Sequence, residues 1–361
     1  MDGVNGVTQC PIAPNDYFVY EFNVTQYGSS WYHSHYSVQY ADGALGPITL
    51  HGPSSAEFDE AISPPLIVTD WGHNTAFDAV TTGLEDPDIL LNGLGNVTRY
   101  NNTIHNTTTI KKPYSITFEK SQTGKPIKKY HLRIINTSFT RTFVFSIDNH
   151  RLQIASADFV PIFPYYNTSL LIGVGQRYDV VVEAIPLSYN NTSPIPKDGN
   201  YWIRTYLIAC GGSVNNSPGY ERNGILRYSS SSTADPSSQP WQTISQDCSD
   251  EAYTSLHPIV PWQVEDPITI HSEKQFDLRL NKSLSNKPFP LASWALDLNS
   301  SFIPIRVNYT NLTFFHLDNL GSWDPSWRII PENATSTDWV RKPFCPLKES
   351  ASLIDRYHRF T

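Results

Sequence analysis

The feature that most constrains the fold is a series of short segments rich in β-branched and aromatic residues. The clearest lie at 17–24, 131–135, 142–147, 178–183 and 201–206, each bounded by Gly, Pro, Asn or Ser. Such residues fit the pleated surface of a sheet. With 27 Pro and 19 Gly in the chain, no apolar period of a helix persists beyond about two turns. The pattern predicts an all-β protein of Greek-key sandwiches or barrels.

Two stretches divide the 361 residues into blocks. A Gly-Pro-Ser-Ser turn ends a first block at about residue 55, and the Ser- and Pro-rich stretch 229–240 is typical of a linker. We therefore expect blocks at 1–55, 64–228 and 241–361. The middle block has the size of one complete sandwich, whereas the first is short for an independent domain. The first and third units are expected to be incomplete.

Charge and hydropathy exclude two function classes. No apolar run approaches the roughly 18–20 residues that a membrane-spanning helix requires. The 26 Lys and Arg are outnumbered by 34 Asp and Glu, for a net charge of −8, and they form no basic patch that would bind a phosphate backbone. We expect neither a membrane segment nor a nucleic-acid partner.

The chain has the composition of a secreted glycoprotein. Some sequons arise by chance in a chain rich in Ser, Thr and Asn, but their density here is typical of secreted proteins. More than a dozen Asn-x-Ser/Thr sequons occur, among them Asn23, Asn96, Asn106, Asn136, Asn167, Asn281 and Asn333. The first six residues have neither the basic start nor the apolar stretch of a signal peptide. We expect a secreted parent protein whose signal peptide is absent from this chain.

Residues able to carry chemistry are densest between Trp31 and Pro47. Side chains two apart leave the same face of a strand, so the spacing predicts that His33 and His35 project together. Two imidazoles on one face suit copper or zinc, which prefer nitrogen ligands. A polar strand face produces the same spacing, so His-x-His alone leaves both interpretations open.

The surrounding residues resemble a known copper-binding segment. The stretch from Trp31 to Pro47 matches every fixed position of W-Y-H-S-H-x-x-x-Q-Y-x-D-G-x-x-G-P, the second copper segment of multicopper oxidases. Residues 1–12 are similar to the stretch directly after the first copper segment in ascomycete laccases, and the resemblance extends to about residue 310. It implies tandem cupredoxin-like domains, copper as cofactor, and a monomer that oxidises small aromatic donors while reducing dioxygen to water.

The same resemblance assigns roles to five residues. His33 and His35 correspond to ligands of the two type-3 coppers, one histidine to each metal. Asp2 matches a carboxylate that assists proton delivery near the copper cluster, although a plain turn residue is an equally good interpretation. Gln39 and Tyr40 are expected to orient the histidines from outside the coordination sphere.

Four other residues are interpreted against the family pattern. Asp42 is expected to be structural, in an Asp-Gly turn. Thr140 occupies the position of an acidic residue that accepts the phenol proton in laccases, so we expect a preference for other donors. His131 and His150 match no ligand position and are expected to be surface or hydrogen-bonded side chains.

The other copper segments of the family do not occur in the 361 residues. These are H-W-H-G, H-P-x-H-L-H-G-H and H-C-H, so the blue-copper site and most ligands of the trinuclear cluster are not encoded here. Copper affinity depends on ligand number and geometry. We expect this chain, taken alone, to be inactive. The alternative is a secreted, non-catalytic cupredoxin-type glycoprotein with weak copper binding.

Four cysteines fit a secreted chain. Cys210 and Cys248 resemble the disulfide that ties the second domain of the family to the third. Cys10 pairs in the relatives with a cysteine near the C-terminus that has no counterpart here. We therefore expect Cys10 and Cys345 to be unpaired, with a disulfide between these two as the alternative.

Overall fold

The computed structural model describes most of the first 261 residues and five strands beyond them. The described ranges are 9–36, 38–72, 74–82, 87–95, 113–121, 124–188, 194–208, 219–242, 244 and 250–261, with strand backbone alone between 278 and 331. Within these ranges, one seven-residue α-helix and one 3-10 turn accompany twenty strands, so the all-β prediction is confirmed. None of the described helices is long and apolar enough to span a membrane.

The elements are joined by short connections. The helix α1 is Ala76–Thr82 and the 3-10 helix is Gln39–Asp42. The strands are β1 (Gly28–His33), β2 (Leu45–Leu50), β3 (Glu60–Ala61), β4 (Leu66–Trp71), β5 (Asp88–Leu91), β6 (Leu94–Gly95), β7 (Tyr114–Thr117), β8 (Lys129–Asn136), β9 (Phe143–Ile147), β10 (Leu152–Ala157), β11 (Val160–Asn167), β12 (Ser169–Ile172), β13 (Arg177–Glu183), β14 (Asn200–Leu207), β15 (Arg222–Arg227), β16 (Leu278–Lys282), β17 (Ala292–Leu296), β18 (Pro304–Arg306), β19 (Leu312–Phe315) and β20 (Arg328–Pro331).

Four of the five predicted strands are confirmed as β8, β9, β13 and β14, and the fifth prediction is wrong. Residues 17–24 are irregular. Their side chains face solvent, with Tyr17, Val19 and Phe22 exposed by 83%, 63% and 65%. Strand propensity describes the side chains only, whereas a strand also requires a neighbour for its backbone hydrogen bonds. No described residue pairs with this segment as a ladder.

The middle of the chain forms a sandwich of two open sheets. One sheet has the order β11-β10-β13-β8-β4-β5-β6, with β3 also paired to β8, and the other has the order β12-β9-β14-β15-β7. Their inner faces share one hydrophobic core. Its fully buried members include Val68, Leu91, Ile134, Phe143, Phe145, Leu170, Val180 and Ile203. Neither sheet closes on itself, so the unit is a sandwich and not a barrel.

The central strands are buried on both faces because other segments cover the sandwich. On the smaller sheet, the indole nitrogen of Trp241 donates to the carbonyl of Ile147 at 2.9 Å. Ser238 donates to the buried carboxylate of Asp148 at 2.7 Å. The Ser- and Pro-rich stretch 229–240 therefore has no regular structure but is anchored to the sheet.

The β1–β2 hairpin covers the larger sheet. Ser29 is fully buried, and its hydroxyl donates to Asp179 of β13 at 2.5 Å. The Nε of Arg177 donates to the carbonyl of Ser29 at 2.9 Å. Since β1 continues from Ser29 to His33, these contacts fix where the histidine segment leaves the sandwich.

Candidate metal centre

The two histidines meet by stacking at the end of β1. His33 is the last residue of the strand, and His35 lies beyond it. Their ring centroids are 4.7 Å apart and the ring planes differ by 25°. Trp31 stacks on His33 at 4.1 Å with planes 27° apart. The spacing predicts two side chains on one strand, whereas the strand is too short to hold both.

The chemistry of the two side chains fits them as ligands of copper. A metal lies in the plane of the imidazole that binds it, at ~2 Å from the nitrogen. Two stacked rings whose centroids are 4.7 Å apart and whose planes differ by 25° offer no point that lies in both planes at that distance. Imidazole nitrogen is a ligand that copper prefers. In the described part of the chain, no group of three or more His, Cys, Asp or Glu side chains lies close enough to hold a metal.

Gln39 accepts a hydrogen bond from Ser34, the residue between the two histidines. The hydroxyl of Ser34 donates to Oε1 of Gln39 at 2.8 Å and accepts the backbone N–H of Tyr36 at 3.0 Å. The N–H of Ser34 donates to the carbonyl of Ala44 at 2.9 Å. These bonds hold the turn between His33 and the 3-10 helix.

Tyr40 lies between the histidine pair and the sandwich. Its ring centroid is 5.6 Å from that of His33 and 5.5 Å from that of Phe139. Burial and, second, the negative charge of Asp70 raise the pKa of Tyr40 above its ordinary value. The phenol therefore remains protonated at neutral pH.

Asp70 fixes the loop that carries Phe139. This residue of β4 is 8% exposed, and its carboxylate accepts the backbone N–H groups of Phe139 at 2.7 Å and Thr140 at 3.0 Å. The hydroxyl of the exposed Thr140 also donates to it at 3.2 Å. Sequence reasoning missed Asp70, and its only signal is a carboxylate inside the apolar strand Leu66–Trp71.

Asp42 has the structural role expected of it, with one addition. The 3-10 helix ends at Gly43, whose φ of 92° lies in the left-handed region that favours glycine. The carboxylate of Asp42 accepts the N–H of Ala76 at 2.7 Å. Because Ala76 begins α1, this bond ties the histidine segment to the start of that helix.

Several sequence predictions fall outside the described residues. Asp2 and the proposed disulfide partners Cys210 and Cys248 lie there, as does Cys345. Cys10 is described, and it is disulfide-bonded. The expectation that Cys10 is unpaired is therefore wrong, because a family pattern whose usual partner cysteine is missing does not reveal which other thiol the fold brings within bonding distance.

The histidines that match no ligand position serve the sandwich. His150 is 1% exposed; its Nδ1 lies 2.8 Å from the carbonyl of Asp148 and its Nε2 lies 2.8 Å from the hydroxyl of Tyr228. Burial lowers the pKa of His150 to about 4. His131 is also buried, with Nε2 3.4 Å from Asp179. The expectation of a hydrogen-bonded histidine is confirmed for His150.

Comparison with known proteins agrees with the fold. Two family models, each described as multicopper oxidase, match residues 1–55 and 63–231. A laccase of Arthroderma benhamiae is 38% identical over 99% of this chain and 56% of its own length. Laccase-1 of Botryotinia fuckeliana is 43% identical over 93% of this chain and 53% of its own length.

A solved structure gives the same assignment. The crystal structure of the laccase from Botrytis aclada is similar over 82% of this chain and 50% of its own, with 36% identity and a TM-score of 0.65. This likeness confirms the cupredoxin-like fold class. The chain spans about half the length of these relatives. Since the family models together cover more than half of its residues, the chain belongs to the multicopper oxidase family.

Proposed function

We propose that this chain is part of a laccase-like multicopper oxidase that oxidises small aromatic donors and reduces dioxygen to water. The observation that carries the proposal is the stacked pair of His33 and His35, set within a segment that matches the family pattern from Trp31 to Pro47. Copper supplies electron transfer to dioxygen when it is bound. The relatives that support this function are themselves named laccases.

In this proposal His33 and His35 each bind one copper of a type-3 pair through a ring nitrogen. The nearly parallel ring planes support one metal to each ring. Trp31 holds the ring of His33 by stacking, and the bond from Ser34 to Gln39 holds the peptide between the imidazoles. Such outer partners matter because a ligand that is already oriented binds its metal more tightly.

Tyr40 and Phe139 close the inner side of the site against the sandwich. Burial and the charge of Asp70 raise the pKa of Tyr40, so its phenol keeps its proton at neutral pH. Tyr40 is therefore proposed as a packing residue beside His33. Asp70 supports this arrangement from the far side by binding the backbone of the loop that holds Phe139.

We infer a donor preference from position 140. Thr140 offers no carboxylate to accept a proton from a phenol, and its own hydroxyl donates to Asp70. An aromatic amine is therefore expected to be a better donor than a phenol of equal reduction potential. Faster turnover of the phenol by an oxidase that contains this chain would contradict the inference.

Taken alone, the chain is proposed to bind copper weakly and to be inactive toward dioxygen. The supporting observation is that no group of three ligand-type side chains lies together in the described ranges, since copper affinity rises with ligand number. The same observation favours the alternative, a non-catalytic cupredoxin-type glycoprotein with weak copper binding.

Oxygen uptake with an aromatic diamine tests the proposed inactivity of this chain and, in a longer protein, the ligand role of His33. The copper-supplied 361-residue chain, its His33→Ala/His35→Ala variant and a His51→Ala/His257→Ala control, which removes two exposed histidines, are expected to give the same background rate. If the 361-residue chain consumes oxygen above background, and the His33→Ala/His35→Ala variant loses this uptake while the control keeps it, the proposed inactivity is overturned. In a longer protein that contains this chain, His33→Ala is expected to abolish uptake, and retained uptake would refute the ligand role.

We further propose that the protein is secreted, N-glycosylated and monomeric. Asn23 is exposed and can accept a glycan. Asn136 is fully buried, and its amide nitrogen donates to the carbonyls of Arg141 at 3.0 Å and Ile172 at 2.9 Å. The sequon at Asn136 is therefore proposed to be one that arose by chance.

A further inference from the structure

A small cavity with a mixed polar and apolar lining lies between the β1–β2 hairpin and the outer face of the larger sheet. Its volume is about 30 Å³, room for about two water-sized groups. The hairpin side and the segment after it contribute Tyr27, Leu50, Pro53 and Phe58, and the sheet contributes His131, Arg133, Ser156 and Asp179. This cavity is separate from the histidine pair at the other end of β1.

The polar residues of the cavity are placed by strand register. Arg133 of β8 lies directly opposite Asp179 of β13, and Asp179 lies opposite Ser156 of β10. The three residues form one row across neighbouring strands. His131 is two residues before Arg133 on β8, so its side chain leaves the same face of the sheet.

The row carries more buried donors than the protein itself satisfies. Within the described residues, Nε of Arg133, Oγ of Ser156 and Nδ1 of His131 are buried without a hydrogen-bond partner, whereas Nε2 of His131 lies 3.4 Å from the carboxylate of Asp179. His131 and Ser156 are only 2% and 8% exposed. Native structures rarely leave such groups unpaired, so the cavity is built for an occupant that accepts hydrogen bonds.

The charges of the cavity favour an anion. Apart from the phenol of Tyr27, its ionisable side chains are Arg133, His131 and Asp179. Asp179 already accepts the hydroxyl of Ser29 and lies 3.4 Å from His131. Among the described residues, Arg133 forms no salt bridge with a carboxylate. Within that part of the chain, the guanidinium of Arg133 therefore has no carboxylate at salt-bridge distance and can bind an anion.

We propose that this cavity binds a small monoanion, the size of bromide or formate, between the β1–β2 hairpin and the sheet. Arg133 supplies the charge and an N–H donor, and Ser156 supplies a hydroxyl. His131 adds an N–H donor, since imidazole carries one in its neutral form and two when protonated. The proposed anion site involves no copper, so its test does not depend on whether the oxidase proposal is correct.

Crystals of the full 361-residue chain soaked in sodium bromide give the direct test. The expected result is an anomalous bromine peak within hydrogen-bond distance of Nε of Arg133 and Oγ of Ser156. A cavity that holds only water under these conditions would overturn the proposal.

Thermal unfolding provides the matched test in solution. Sodium formate, exchanged for sodium gluconate at constant ionic strength, is expected to raise the unfolding midpoint of the wild-type chain. Ser156→Ala removes one hydroxyl, and Arg133→Lys keeps the charge but removes the Nε–H. Each is expected to weaken formate binding at least about tenfold, because each deletes a hydrogen bond to a charged group.

Arg151→Lys is the control, because Arg151 is exposed and its guanidinium lies over the ring of Tyr166. This variant is expected to bind formate as the wild type does. Equal formate binding by Arg133→Lys, Ser156→Ala and the control would identify an adventitious ion only and would overturn the proposal.

Discussion

Replacing Asp148 by Asn tests how the sandwich tolerates a buried charge. Asp148 is fully buried and Arg204 is 1% exposed. The Nε and Nη2 of Arg204 donate to the two oxygens of Asp148 at 2.7 Å and 2.8 Å. Ser238 donates to the same carboxylate at 2.7 Å. The pair therefore holds both the centre of the smaller sheet and the segment that covers it.

The expected cost of Asp148→Asn is about 3–5 kcal/mol, which is typical when one partner of a buried ion pair is removed. The variant leaves the guanidinium of Arg204 buried with Glu221 as its remaining carboxylate partner, at 2.6 Å. Glu221 is partly exposed, so it compensates the charge only in part.

Asp158→Asn is the matched control. Asp158 pairs with Arg177 at 2.9 Å, but its side chain is 49% exposed, and exposed pairs contribute about 0–1 kcal/mol. Its positive φ of 54° is one that Asn also adopts readily. The replacement therefore removes the charge without straining the backbone.

Urea unfolding followed by tryptophan fluorescence measures both free energies of unfolding. We expect Asp148→Asn to shift the midpoint far below that of the wild type, and Asp158→Asn to shift it little. If the two variants lose the same free energy, or if Asp148→Asn loses less than about 1 kcal/mol, the reasoning from burial is wrong.

Three other perturbations give measurable outcomes. Because the pKa of His150 falls from 6.5 to about 4 on folding, acidification through this range favours the unfolded chain, which takes up the proton. The free energy of unfolding should fall by about 3 kcal/mol between pH 7 and pH 4. In urea unfolding, a His150→Gln variant should show a shallower pH dependence of this free energy. Asp70→Asn should lower the pKa of Tyr40 without returning it to its ordinary value, since burial remains; an unchanged tyrosine titration, referenced to Tyr40→Phe, would refute this. In a secretory host, peptide mass spectrometry should find glycan on Asn23 and none on Asn136, and a glycosylated Asn136 would contradict its burial.

The core strands of the sandwich could be predicted because their sequence signal is local. Strands β8, β9, β13 and β14 combine β-branched residues with Gly, Pro or Asn at their ends, and the structure has them within two residues of the predicted bounds. Residues 17–24 carry the same signal and form no strand. The difference lies in pairing, which depends on a distant segment and is not encoded in the residues themselves.

In the candidate site, too, residues with a local sequence signal could be predicted and residues that act through distant contacts could not. His33, His35, Gln39 and Tyr40 lie within one contiguous pattern, so a sequence comparison finds them together. Asp70 contributes through contacts to residues 69 and 70 positions away. No spacing rule anticipates a contact of that range.

Cys10 illustrates the same limit at the level of covalent structure. Its sequence neighbourhood identifies the position but not the partner thiol, and the expectation of an unpaired cysteine was wrong. Disulfide connectivity depends on which Cβ atoms the fold brings within about 4 Å, and that is a property of tertiary structure.

Copper affinity tests the central claim that His33 and His35 form part of a copper site. Cu(II) competition against a chromophoric chelator is measured for the 361-residue chain, for His33→Ala/His35→Ala, and for the His51→Ala/His257→Ala control. We predict weak binding by the wild type and the control, and binding at least about tenfold weaker by the first variant, because affinity depends on ligand number. Equal affinity in all three chains would contradict the claim.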